Sequence, residues 1–180
     1  MLHVVDVELT PNPHAIKFIL NKKLLNWSSR NFANSAEAAA DPLAAGIFEL
    51  EGVVSVFYTD KFITVEKRAD TDWSKIQRPF LIFLSKFDMT QIPEEKMPEG
   101  LDADASEMLI KITDVLNQKV IPALNYDGGG LEILGLDGYT LTVKYQGACG
   151  SCPSASRGTL SAIESLLKRD VNPAIEVIPA

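Results

Sequence analysis

Both cysteines of this 180-residue chain fall in one string, QGACGSCPSAS at 146–156, where Cys149 and Cys152 form a Cys-x-x-Cys. The thiolate is both a nucleophile and a soft metal ligand. Two thiols at this spacing can therefore close one disulfide, or supply half of a four-thiolate centre. Structural zinc takes four Cys or His ligands, and an iron–sulfur cluster held wholly by protein takes four thiolates. The only histidines, His3 and His14, lie near the other end of the chain and are expected to be ordinary surface or hairpin residues. Either metal reading thus requires two chains to meet at residues 149–152.

The neighbours of the cysteines favour chemistry over chance. A strand is expected to end near Gln146, and Pro153 suits the first turn of a helix, so the pair straddles a strand-to-helix turn. Exposed N–H groups and the positive end of a helix dipole pull a cysteine below its reference pKa of about 8.5. Gly147 and Gly150 leave room for another body to approach the backbone. A thioredoxin-like redox couple also sits between a strand and a helix. That fold needs a further helix and several strands downstream, however, and the 28 residues after Cys152 hold one helix and one short strand. A redox couple on another fold stays open beside the metal readings.

Charge sets a condition on the four-thiolate arrangement. At roughly 6–7 Å and an effective dielectric of 20, each thiolate pair repels by about 2.5 kcal/mol, so six pairs oppose assembly by about 15 kcal/mol. Protonation relieves most of this without metal. The deprotonated form depends on a cationic core, and dimerisation is expected to be coupled to metal binding.

Two groups of elements carry these residues. Upstream, VVDVEL (4–9) and AIKFIL (15–20) alternate, with Val5, Val7, Leu9 and Ile16, Phe18, Leu20 each on one face; TPNP between them supplies a turn. DPLAAGIFELEG (41–52) predicts a helix with Asp41 as N-cap and Pro42 in first position. Strands follow at 53–59 and 62–68. A last helix near 72–88 places Ile76, Phe80, Phe83, Leu84 and Phe87 inward, with Pro79 expected to kink or delay it. This predicts a ββαββα domain over 1–88, an antiparallel sheet with helices packed on one face. Residues 89–105, rich in acids and carrying Pro93, Pro98 and Gly100, read as a linker.

Downstream, a helix over 106–124 carries Met108, Leu109, Ile112, Val115 and Leu116 on one stripe. LEILGL (131–136) and YTLTVKYQ (139–146) form a hairpin about Asp137-Gly138. A helix over 153–170 and a strand over 174–179 complete an αββαβ domain at 106–180. The fold class is α+β in two small domains, the second too small to hide a deep cavity easily.

Composition narrows the partners. The net charge of −7 and the absence of a Lys/Arg stripe argue against nucleic acid and against an anionic membrane surface. No apolar run approaches the ~20 residues that span a bilayer. The N-terminus does not read as a signal peptide, and a lone Cys-x-x-Cys suits a reducing compartment. Cytoplasm is the expected location, with the mitochondrial matrix as the alternative if a presequence has been removed.

Taken together, GACGSCPSAS after PALNYDGGGLEI resembles the C-terminal domain of NifU-like (Nfu-type) iron–sulfur scaffold and carrier proteins, and LTPNPHAIKFIL is similar to the Nfu N-terminal domain. The resemblance covers about 75 and 85 residues respectively, in that family's order. It implies a carrier, not an enzyme, with no catalytic residues. It also implies a 4Fe-4S cluster bridged between two protomers by Cys149 and Cys152 of each, received from upstream assembly proteins and passed to recipient apoproteins. A thiol–disulfide oxidoreductase using the same two cysteines is the alternative. The family commonly has Asp-Gly-Gly-Asp where this chain has Asp127-Gly128-Gly129-Gly130, so the role of the second acid is in question; a helix-to-strand turn with Gly at positive φ is the plainer expectation. The order Gly-Ser within the motif, in place of the more usual Ser-Gly, is expected to matter little. The cysteine-free N-terminal half cannot ligate a cluster by thiolate. Its Trp73, Phe80, Phe83 and Phe87 are expected to be core, and its role is expected to be targeting.

Overall fold

The computed structural model describes residues 1–25, 28–94, 103–148 and 158–180, the backbone alone over 103–106. It divides into two compact units, Met1–Lys96 and Met97–Ala180.

In the first unit, β1 (Val4–Leu9), β2 (Ala15–Leu20), β3 (Ser29–Phe32), β4 (Val53–Thr59) and β5 (Phe62–Lys67) form an antiparallel sheet in the order β1-β2-β5-β4-β3. Alternation sends Ile16, Phe18, Leu20, Val56, Tyr58, Ile63 and Val65 into one core. Helix α1 (Pro42–Phe48) adds Leu43, Ala44 and Ile47, and α2 (Ser74–Lys86) adds Ile76, Phe80 and Leu84. Trp73, Phe83 and Phe87 pack half-buried on the same core, as expected of that aromatic set. Helix α2 runs through Pro79, which is exposed, so the carbonyl deprived of its donor faces the solvent side of the helix.

Three readings of this unit need correction. β3 adds an edge strand, giving βββαββα with a 3-10 turn at Glu37–Ala40 before α1. Val5, Val7 and Leu9 are 57%, 46% and 84% exposed. They sit on the edge strand at the end of the sheet, and a bulge between Val4 and Asp6 breaks the alternation there. Leu2, fully buried, takes the core place they were expected to fill. Finally, Met89–Gln91 form a 3-10 turn, and Met89 and Ile92 pack on this core.

A polar network closes the unit. The Asp41 carboxylate caps α1 by accepting the Ala44 N–H at 3.0 Å, then accepts the Tyr58 hydroxyl at 2.6 Å and Arg30 Nη1 at 2.8 Å. Arg30 Nη2 reaches on to the carbonyls of Pro93 at 2.6 Å and Glu94 at 3.3 Å. Burial, reinforced by the Asp41 carboxylate, pushes the Tyr58 phenol far above its ordinary value. Burial opposes the Arg30 charge, but Asp41 and Tyr58 outweigh it and hold the guanidinium above its usual range.

In the second unit, the helix expected over 106–124 is two: α3 (Ala103–Lys119) and α4 (Ile121–Tyr126). The break at Val120 comes from Pro122, which lacks the N–H that would continue the ladder and fits instead the first turn of a new helix. Strands β6 (Gly129–Asp137), β7 (Thr140–Gly147) and β8 (Glu176–Pro179) form a sheet in that order, with β6 antiparallel and β8 parallel to β7. Helix α5 (Gly158–Asp170) connects β7 to β8. Ile112, Leu116, Leu124, Leu141, Val143, Ile163, Leu167, Ile175 and Val177 make the core.

The hairpin turn is shifted by one residue from its expected place. Asp137 pairs with Thr140, so the loop is Gly138-Tyr139, and only Gly138 has positive φ, at 58°. A type I′ turn needs positive φ at both loop residues, whereas type II′ needs it only at the first, where glycine stands.

Candidate functional site

The approach to the cysteines is built from the ends of four elements. Helix α4 stops at Tyr126, and Asp127 caps it by donating its N–H to the carbonyls of Ala123 and Asn125. Gly128 follows with φ 78°, and its N–H bonds Asn125 O at 3.1 Å. This left-handed residue one step past the cap is the ordinary glycine stop of a helix. Gly129 and Gly130 already belong to β6, paired with Gly147 and Gln146. The expected turn at 127–130 is therefore narrowed to Gly128 alone. Gly130, where the acid is missing, is a buried strand residue.

Across the hairpin, β7 ends at Gly147, whose φ of 63° swings the chain out of the sheet. Ala148 is 2% exposed, and its N–H donates to the carbonyl of Gly128 at 3.2 Å. The glycine that stops α4 thus also holds the last described residue before Cys149. The sequence pointed to a glycine at positive φ within 127–130 but not to this bond, because a backbone carbonyl leaves no mark on residue type. Beside it, Gln146 is 5% exposed and donates from Nε2 to Glu132 Oε2 at 2.9 Å.

Cys149 and Cys152 themselves, with Gly150, Pro153 and the expected first turn of a helix at 153–157, lie outside the described residues. The chain reaches their segment from Ala148, at the end of β7, and the described part of α5 begins at Gly158. The far side is also pinned. Glu164 on α5 accepts the Val177 N–H of β8 at 3.0 Å and takes Lys168 Nζ, one helical turn on, at 2.5 Å. The bonds from Lys168 and Val177 hold the Glu164 carboxyl below its ordinary range. At the end of α5, Asp170 accepts from Arg169 and from Lys119 of α3, which together hold its carboxyl far below the usual value. The i, i+4 Glu164–Lys168 spacing was visible in sequence, although its second partner in β8 was not.

The described residues contain no cluster of three or more His, Cys, Asp or Glu suited to a metal ion. His3 is exposed, and His14 is half-buried with its Nδ1 unpartnered. No helix among the described residues is long and apolar enough to cross a membrane.

Comparison with known proteins matches both units. The family model described as scaffold protein Nfu/NifU N terminal covers residues 5–91, and the NifU-like domain covers 112–178. The chain is 33% identical over 177 residues to NifU-like protein 5, mitochondrial, of Arabidopsis thaliana, covering 93% of this chain and 64% of that protein. It is 31% identical over 169 residues to the NFU1 iron-sulfur cluster scaffold homolog, mitochondrial, of Homo sapiens, covering 91% and 66%. The chain thus spans just under two thirds of the length of these curated relatives. The solution structure of a NifU-like protein from Saccharomyces cerevisiae aligns at 25% identity and a TM-score of 0.45, over 53% of this chain and 86% of that one.

Proposed function

Since the chain belongs to the Nfu/NifU iron–sulfur scaffold family, we propose that it carries a 4Fe-4S cluster held between two protomers by Cys149 and Cys152 of each. The cluster is cargo, taken from upstream assembly proteins and delivered to recipient apoproteins. The observation that carries this reading is ligand arithmetic: one Cys-x-x-Cys per chain, in the connection from β7 to α5, is half of a four-thiolate set. Family membership selects iron–sulfur chemistry from the two metals that the arithmetic leaves.

Transfer follows from the same shortage. A cluster held by two thiolates per chain can be dismantled one ligand at a time, as each incoming recipient thiolate replaces a carrier thiolate and the displaced sulfur takes up a proton. The role is that of a carrier, with no turnover of its own. For location, the mitochondrial names of the relatives favour the matrix over the cytoplasm if the source is a eukaryote. In either place thiols stay reduced.

Anaerobic reconstitution with iron and sulfide tests the reading. The expected product is a brown dimer with four irons and four sulfides per two chains. Cys149→Ser and Cys152→Ser should each abolish iron and sulfide binding while leaving the far-UV circular dichroism unchanged. A colourless protein that reduces insulin disulfides through the same pair would replace this reading with the oxidoreductase one. A dimer equally tight with and without metal would remove the coupling of assembly to loading.

A further inference from the structure

Helix α2, SKIQRPFLIFLSK, contains three cations and no acid, in a chain whose net charge is −7. At 100° per residue, Arg78, Ile82 and Lys86 fall on the side opposite the buried Ile76, Phe80 and Leu84. Leu81 flanks them. It is 44% exposed and Ile82 is 48% exposed, and they are adjacent large aliphatics left in water. Lys75, on the same side, is spent on Glu51 at 3.0 Å. Neither Arg78 nor Lys86 has a side-chain hydrogen bond or ion pair among the described residues.

An exposed helix face ordinarily mixes charges of both signs. Here the cations stand a helical turn or two apart with an aliphatic pair between them, and none of the chain's 24 acids is on the helix. We propose that this face of α2 is a docking surface for an amphipathic acidic helix of a partner protein. The partner's carboxylates, spaced by i, i+8 to match the eight residues from Arg78 to Lys86, would meet those two cations, and aliphatic residues between them would pack on Leu81 and Ile82. Charge complementarity selects this occupant. A second copy of α2 would set cation against cation. An anionic bilayer would gain about 1 kcal/mol per basic residue, from few residues, against the repulsion of an acidic protein. The surface lies in the cysteine-free unit, so its failure and that of the cluster reading are separable.

The test uses the full chain, isotope-labelled, and a synthetic amphipathic helix of roughly 16 residues with Glu at i and i+8 and Leu at i+4 between them. Amide shift changes concentrated in 74–86 are expected. Arg78→Glu/Lys86→Glu should weaken association at least about tenfold, because it places like charges opposite one another. Leu81→Ser/Ile82→Ser should weaken it at unchanged ionic-strength dependence. Unaltered circular dichroism in both variants excludes a folding defect. No association, shift changes outside α2, or equal binding by the charge-reversed variant would overturn the proposal. So would binding to vesicles of mixed zwitterionic and anionic lipid that is lost in the same variant while the peptide fails to bind.

Discussion

The Met1–Lys96 unit lays two helices on a five-stranded antiparallel sheet and buries a carboxylate and a phenol against a half-buried guanidinium, whereas the Met97–Ala180 unit backs three strands with three helices and leaves its described ion pairs at least partly exposed. The first has the more extensive core and no cysteine. The second carries both cysteines on a core of fewer buried side chains. Domains of this size bury only about 60% of the surface of the unfolded chain, so neither has stability to spare. The contrast separates a unit organised around burial from one whose elements hold the chain on either side of residues 149–157. Four substitutions probe that separation.

The largest effect is expected from the smaller core. Leu141→Ala, at a fully buried site in β7, should cost about 2–5 kcal/mol. Both tryptophans, Trp27 and Trp73, lie in the first unit. If the units unfold independently, denaturation followed by tryptophan fluorescence should be unmoved, while part of the circular-dichroism transition moves to lower denaturant. A joint shift of both signals would make the two units one cooperative body.

Asp41→Asn should have its effect in the other unit. It leaves the cap but removes the charge that Arg30 and Tyr58 share, at a cost of about 2–3 kcal/mol. That is below the 3–5 expected for a fully buried pair because Arg30 is 17% exposed. Tryptophan fluorescence should now report the whole loss.

Gly147→Ala asks whether the exit from β7 is held rigidly. A side chain at φ 63° costs roughly 1–2 kcal/mol. If this approach to Cys149 matters for the proposed loading, cluster occupancy should fall more than this destabilisation alone explains.

The smallest effect is a pH dependence. Glu164 is depressed in the folded state, so its contribution is complete above the unfolded value of about 4.3 and is lost as pH falls through the lower folded value. Melting of the second unit should drop across that window. Glu164→Gln should flatten part of the drop, and Asp170, depressed by Arg169 and Lys119, should account for more of it. An unchanged profile in the variant would mean that the charge Glu164 presents to Lys168 contributes little.

Much of this architecture was legible in residue order, for identifiable reasons. Asp41-Pro42 announced α1 because a cap and a proline act locally, and the β-branched and aromatic runs at 53–59 and 62–68 announced strands, the second of which ends one residue earlier, at Lys67. β3 escaped because SRNF has one apolar residue and is defined by its pairing to β4, a non-local fact. The exposure of Val7 and Leu9 was likewise invisible, since alternation tells which face a side chain takes but not whether a helix reaches that far. At the site the cysteines were evident from type and spacing. The carbonyl of Gly128 that receives the Ala148 N–H was not, because any residue offers a carbonyl.

The parallel pairing of β8 with β7 bears on the cost of holding the proposed cargo. Thr140–Val143 pair with Glu176–Pro179, so the chain that leaves β7 returns through α5 to the strand's own flank. A free segment would pay loop-closure entropy whenever its ends had to be kept near one another. Here the sheet and the packed helix pay it at folding, before any metal arrives, and the segment containing Cys149 and Cys152 starts and finishes at positions the fold has already fixed. On the proposed reading, loading and release would proceed with the chain on either side of that segment already in place, and the free energy of coordination would go to joining two chains instead of closing one.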